Sequence, residues 1–286
     1  MLKKIFIVGS DYQWEEQQLE QEAKNLGYFV QFILLERLSF HLSTHTKIFY
    51  ERENILEKID QETVFIIRRS RGAYEKLVAL VNYLDKNNIQ HTDSFRSVST
   101  NLNKKLTLTT ISSSLLPHPP GTTFLGVGSA ENIKDNMLNF PCVMKPVMGR
   151  HGEGVEIIDN FIDLQKRLAQ VEETQIIQEF IEIKTEYRVF VIKNNSLGVI
   201  KKIPPQGSNV ANYSAGAEFI KTELSKSIVQ ESIRICQDQH IDIGGVDVAE
   251  SKQGNFYLLE VNRCPEFKAF SQATNINVAL EIVKFI

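Results

Sequence analysis

The sequence predicts an α/β protein, with a parallel sheet and its covering helices first and antiparallel, α+β-like hairpins after it. Three observations lead there. Strand-like and helix-like segments alternate through the first third, as in a parallel sheet with crossover helices. The last third instead pairs apolar runs about short polar turns, in "EYRVFVIKNNSLGVIKKI" and "IDIGGVDVAESKQGNFYLLEVN". The 286 residues are 42% hydrophobic and 23% charged, which suffices for one large α/β domain or several small ones.

Along the chain, "KKIFIVGS" reads as the first strand. Ser10 or Asp11 is expected to cap a helix through Trp14, Leu19, Ala23 and Leu26 that stops at Gly27. "YFVQFILLE" is a second strand. After a less regular stretch, "TVFIIRRS" is a third, and Leu77, Leu80, Val81 and Leu84 mark the helix after it. The polar segment 91–104 reads as a connection, and the prolines of "LLPHPPG" exclude continued helix. "CVMKPV" and "GVEIID" are strands flanking "MGRHGE", followed by a helix around Leu164–Val171 and the strand "TQIIQEFI". The first hairpin of the last third is expected to turn at Asn194-Asn195, the second through Lys252–Asn255.

Composition narrows the classes. Net charge is -3 with no long basic run, so neither a nucleic-acid surface nor an anionic-membrane surface is expected. Cys142, Cys236 and Cys264 make no zinc pattern and no disulfide framework, which fits a reducing cytosol and a cytoplasmic location. Cys264 reads as a small packed thiol rather than a nucleophile. No apolar run reaches membrane-spanning length, and "MLKKIFIVGS" lacks a small-residue cleavage site. No Ser-His-Asp or Cys-His arrangement stands out.

In "YLLEVNRCPEF", Glu260 and Asn262 interrupt an apolar strand. A carboxylate buried there needs a partner or a cation, because leaving it unpaired is costly. With the turn at Lys252–Asn255, Ser251 faces Phe256, Asp247 faces Glu260, and Asn262 shares that face. Asp247, Glu260 and Asn262 then form an oxygen-only cluster suited to magnesium or manganese shared with phosphates. The alternative is a solvated face of an edge hairpin. A one-residue slip would send Asp247 to the other face.

Upstream, Lys145 in an apolar strand precedes Gly149, Gly152 and Gly154, whose backbone amides can approach an anion closely. The spacing is not that of a Walker loop. Taken alone, the segment is better described as a hairpin turn with a snorkelling lysine; the downstream oxygen cluster is what favours a phosphate site. His151 in the loop reads as a phosphate contact, a proton shuttle or a solvent-facing side chain. "IIRRSRG" places Arg68, Arg69 and Arg71 at a strand's C-terminal end, where α/β sheets form crevices. Arg68 or Arg69 is expected to contact an acidic substrate, with a solvated basic loop as the alternative.

The ordered set "NKKLTL", "PHPPGT", "FPCVMKPVMGRHGEGV", "IIQEFI", "EYRVFV", "GGVDVA" and "LLEVNRCPEF" resembles the ATP-grasp superfamily, and within it the RimK-like carboxylate–amine ligases. The resemblance runs from about Asn101 to the C-terminus. It implies an ATP-grasp fold preceded by a smaller parallel-sheet α/β domain. That divides the chain into a pre-grasp domain at 1–96, a central lid subdomain at 97–182 and a C-terminal subdomain with the metal site at 183–286. It also implies ATP and Mg2+ (or Mn2+) as cofactors, with Lys105 and Lys145 facing the nucleotide. Gln178, Glu179, Phe180 and Ile181 would line adenine, Glu186 would hold the ribose, and Arg188 would reach the phosphates or an acyl phosphate. Asp247, Glu260 and Asn262 fall on the family's metal ligands. The family often carries an arginine in the segment between Gly207 and Phe219; here there is none, Asn209 is retained, and Lys201 and Lys202 supply charge upstream. Glu266 stands where the family often has glycine.

The expected activity is ATP-dependent joining of a carboxylate to an amine through an acyl phosphate. The acceptor would be an amino acid, a small peptide or a protein tail, and homo-oligomerisation is left open. Two other readings compete: a ligase that crosslinks a ribosomally made peptide, and a nucleotide-binding regulatory protein without ligation.

Overall fold

The computed structural model describes residues 2–70, 72–100, 111–126, 138–147, 154–204 and 217–286. Apolar residues run unbroken from Ile5 to Val8 in β1 (Lys4–Gly9), as expected of a parallel strand covered on both faces. Ile5, Phe6, Ile7 and Val8 are all fully buried. With β2 (Phe29–Leu34), β6 (Thr63–Ile67) and β7 (Gln90–His91) this strand forms a parallel sheet of order β2-β1-β6-β7. Helix α1 (Trp14–Asn25) lies against one face and α2 (Tyr74–Lys86) against the other. The four leucine and valine positions expected of α2 are all buried.

Several local expectations are corrected. The residue that precedes α1 is Gln13, not Ser10 or Asp11, and Glu16 reaches back to accept from the Gln13 amide at 3.1 Å. The less regular stretch contains an antiparallel three-stranded sheet of β3 (Ser39–His41), β4 (Lys47–Tyr50) and β5 (Glu53–Asn54). Within the supposed connection at 91–104 lies a short helix, α3 (Phe95–Thr100), started by the Asp85 side chain accepting from the Phe95 amide.

The middle of the chain forms an antiparallel sheet of order β10-β9-β11-β8, from β8 (Thr123–Leu125), β9 (Cys142–Pro146), β10 (Glu156–Ile158) and β11 (Gln175–Glu179). Strand β9 alternates as a half-covered strand should: Cys142 and Met144 pack under α4 (Phe161–Leu168), so Val143 and Lys145 point the other way. The expected helix at Leu164–Val171 starts and stops three residues earlier, capped by Asn160, whose side chain accepts from the Asp163 amide.

The last part is a five-stranded antiparallel sheet of order β14-β13-β12-β15-β16. Its strands are β12 (Ile183–Ile192), β13 (Asn195–Ile203), β14 (Glu218–Thr222), β15 (Ile243–Ser251) and β16 (Phe256–Asn262). Helix α5 (Lys226–Asp238) covers one face through Ile228, Ile235 and Cys236 against Val189, Val246, Val248, Leu258 and Val261. On the other face, Phe190, Ile192, Ile200 and Ile243 join the core of the parallel sheet through α6 (Lys268–Thr274) and α7 (Val278–Phe285). That second face is apolar at one end only. Its other end is charged.

Candidate active site

Register builds the charged end. Glu186 of β12 pairs with Lys202 of β13; two residues on, Arg188 pairs with Asp247 of β15. Asp247 in turn pairs with Glu260 of β16, and Asn262 follows on the same side opposite Gly245. Paired residues share a face, as do alternate residues of one strand. Lys202, Glu186, Arg188, Asp247, Glu260 and Asn262 therefore converge on one patch of sheet.

The expected opposition of Asp247 and Glu260 is observed, but by a different route. The turn pairs Glu250 with Phe256, one residue tighter than expected, and that register runs as far as Val248 with Leu258. A bulge at Leu259 then restores Asp247 to Glu260. The bulge also lets Leu258 and Val261 both enter the apolar core under α5, while Glu260 and Asn262 face the other way.

The patch is dense with charge-assisted bonds. Arg188 grips Asp247 with a fork, Nε to Oδ1 at 2.7 Å and Nη2 to Oδ2 at 2.7 Å. Lys202 Nζ lies 2.8 Å from Asp247 Oδ2 and 3.7 Å from Glu186 Oε2. Asn262 donates from Nδ2 to Glu260 Oε1 at 2.8 Å. Burial pushes the Asp247 carboxyl up, but Arg188 and Lys202 outweigh it and hold the group well below the usual carboxylate range. Glu186 shifts the opposite way: burial raises it, Lys202 opposes, and Asp247 and Glu260 add to the rise. Burial lowers Lys145, against the pull of Glu260 and Glu186. Lys145 of β9 is thus near enough to the patch for the charge of its carboxylates to act on it.

Gln178 of β11 is buried and donates to Thr122 Oγ1 at 2.9 Å, and Glu179 accepts from Asn139 Nδ2 at 2.7 Å. Phe180, the next residue, is 38% exposed. Gly154 has φ +70, and a Cβ there would press on Pro146 at 3.0 Å, so glycine is needed where the chain returns to β9. Lys105, Gly149, Gly152, His151 and Asn209 lie outside the described residues.

Three substrate expectations do not come to the patch. Lys201 pairs with Tyr187 and so faces the opposite side of the sheet. Arg68 is 1% exposed and bound through Nε to Glu16 Oε1 at 2.9 Å, with Phe267 beneath its guanidinium. It bolts α1 to the segment after β16 and is not presented to a ligand. Arg69 is likewise engaged, donating from Nη1 to Glu266 at 2.6 Å and lying 3.6 Å from Glu15. Sequence reasoning missed the cluster of Asp93, Asp242 and Arg263, in which Asp93 is buried and the other two are half-buried. Arg263 Nη1 donates to Asp93 Oδ2 at 3.0 Å, while Asp93 and Asp242 exchange backbone-amide to carboxylate bonds at 3.2 and 3.3 Å. Its only signal was that Arg263 directly follows Asn262.

A family model described as "RimK-like ATP-grasp domain" matches residues 120–286, and the chain belongs to that family. Among curated proteins, the "Probable alpha-L-glutamate ligase" of Legionella pneumophila (strain Corby) is 28% identical over 151 residues, 51% of this chain and 50% of that protein. The chain thus spans about half the length of the curated relatives it matches. Among solved structures, the ATP-grasp ligase PsnB with its minimal precursor superimposes with a TM-score of 0.77 at 17% identity, covering 99% of this chain and 98% of that one. The macrocyclase MdnC bound with precursor peptide MdnA from Microcystis aeruginosa MRC gives 0.74 at 14% identity, covering 98% of each chain. These likenesses show the ATP-grasp fold. No helix among the described residues is long and apolar enough to cross a membrane.

ATP and a divalent metal are implied by that family, and the residues present fit them. Asp247, Glu260 and Asn262 offer hard oxygen donors of the kind magnesium takes. Glu186 is pushed toward neutrality first by burial and then by the charge of Asp247 and Glu260, against the pull of Lys202, and a cation nearby would relieve it. Lys145 is pushed toward neutrality by burial, which an anion relieves.

Proposed function

We propose that the protein is an ATP-dependent carboxylate–amine ligase that makes an amide bond through an acyl phosphate and releases ADP and phosphate. One observation carries the reading: sheet register gathers Glu186, Arg188, Asp247, Glu260 and Asn262 on a single face within electrostatic reach of Lys145. Asp247, Glu260 and Asn262 would hold magnesium, which neutralises phosphate charge and orients the transferring group. Lys145 binds phosphate oxygens, Gln178 to Ile181 and Glu186 take the adenosine, and Arg188 neutralises charge at the transferred phosphoryl and acyl groups. Lys105, Asn209 and the 149–154 loop belong to the same proposal. The loop excludes water that would hydrolyse the activated acyl group. A cytoplasmic setting follows from ATP as substrate.

The acceptor is proposed to be an amino acid, a small peptide or a protein tail. A second reading, modification of a ribosomally made peptide, is favoured by one observation. PsnB and MdnC, both solved with precursor peptides, share this chain's fold along nearly its whole length. ADP release measured across amino acids, peptides and leader-bearing peptides tests both. Release dependent on a free amino acid or short peptide supports the first reading, and release only with a leader-bearing peptide supports the second. No release with any acceptor would leave nucleotide binding without ligation and contradict both.

A further inference from the structure

Lys202 is a charged side chain in an unusual position: 6% exposed, on a central strand, with its ammonium against Asp247. A carboxylate oxygen offers two lone-pair sites. At Asp247 Oδ2 both are taken, one by Arg188 Nη2 at 2.7 Å and one by Lys202 Nζ at 2.8 Å. Oδ1 accepts from Arg188 Nε and keeps one site. A divalent cation approaching Asp247 therefore meets a resident positive charge on the same carboxylate.

The two resident cations differ in how easily they leave. Arg188 is fixed by a planar two-bond fork, with Asp247 opposite it in register. Among the described residues Lys202 makes one contact of hydrogen-bond length, to Asp247 through a flexible four-carbon stem, and Glu186 Oε2 stands 3.7 Å from its ammonium as a second, looser ion-pair partner. Of the two, Lys202 is the less firmly held.

We propose that Lys202 is a resident counter-cation for Asp247, which the metal displaces only when it arrives with nucleotide phosphates. The phosphates then supply the negative charge that Lys202 loses. The inference rests on the metal and nucleotide assignment above. It makes Lys202 a positioning residue that couples metal binding to nucleotide binding, rather than a contact for the acidic substrate. Free metal, lacking phosphates to compensate the ammonium, binds weakly.

The test uses Mn2+ alone, counted by the electron paramagnetic resonance of unbound ion, and Mn2+ with a non-hydrolysable ATP analogue, followed by calorimetry. Lys202→Met keeps the apolar stem and removes the charge, leaving Asp247 in the Arg188 fork; Lys202→Gln is the second neutral variant, and thermal unfolding of both reports on folding. The neutral variants should bind Mn2+ alone at least about tenfold more tightly than the parent, a small share of the Coulomb repulsion between a unit charge and a divalent ion at such range. Lys202→Arg should keep the parent's weak binding of Mn2+ alone. Neutral variants that fold and bind Mn2+ with the parent's affinity or less, in a protein that still binds Mn2+ with nucleotide, would overturn the role of Lys202 and leave the site assignment standing. A parent that binds no nucleotide with Mn2+ would overturn the site assignment and this inference together.

Discussion

At the scale of single residues, Asp247 decides the site. Its carboxyl is buried yet held ionised by Arg188 and Lys202. Because its native pKa is depressed, its contribution to stability is complete above the ordinary carboxylate value and is lost as pH falls through the lowered one. Asp247→Asn removes that dependence and strands two buried cations, at a cost of about 3–5 kcal/mol. Urea unfolding at neutral pH should show the loss, and the acid limb of stability should be shallower in the variant. An unchanged midpoint would mean that Arg188 and Lys202 are satisfied elsewhere.

At the scale of elements, the sheet positions the chemistry through irregularities that alternation cannot reveal. The sequence pattern was enough for the long apolar strands and for α2, since apolar periodicity reports burial directly, but not for the short strands β3, β4, β5, β7, β8 and β14. It reached the opposition of Asp247 and Glu260 through a turn one residue too wide. It did not reveal the Leu259 bulge, because both "YLLEV" registers bury a similar apolar set. Nor could it separate Lys201 from Lys202. A turn at Asn194-Asn195 would have paired Arg188 with Lys201, whereas the turn lies at Lys193-Asn194, with Lys193 at φ 48, and a second irregularity follows at Phe190/Val191. Arg68 was misread for a related reason: a strand's C-terminal end suggested a crevice, and the buried acid awaiting it on α1 left no local mark. The packing of β15 on α5 is testable through Gly244, where a Cβ would lie 2.6 Å from Cys236 Sγ. Gly244→Ala should destabilise by about 1–3 kcal/mol. Adding Cys236→Ala should restore part of the loss in a double-mutant unfolding cycle; a purely additive result would locate the strain elsewhere.

At the scale of the whole molecule, the parallel sheet and the site-bearing sheet share one core, in which Ile7 and Ile66 meet Phe190 and Ile243 by way of Phe267 and Val278. Asp93, Asp242 and Arg263 add a polar tie across the same junction. Burial raises the Asp93 carboxyl to about 6, with Arg263 opposing and Asp242 adding to the rise. For a raised carboxyl the sign is the reverse of Asp247: its contribution is complete below the ordinary value and is lost as pH climbs through about 6. Asp93→Asn should remove that part of the slope when melting temperature is followed from pH 4 to 7; a slope identical to the parent's would show that Asp93 does not titrate in this window. The tie also anchors the residue that follows Asn262, so the parallel sheet helps to fix the end of β16.

Calorimetric titration with a non-hydrolysable ATP analogue, with and without Mg2+, tests the lysine and carboxylate patch most directly. The parent should bind one nucleotide tightly only when the metal is present, and Lys145→Ala should weaken binding at least about tenfold with its unfolding temperature little changed. Equal affinity in parent and variant, or binding indifferent to metal, would contradict the site.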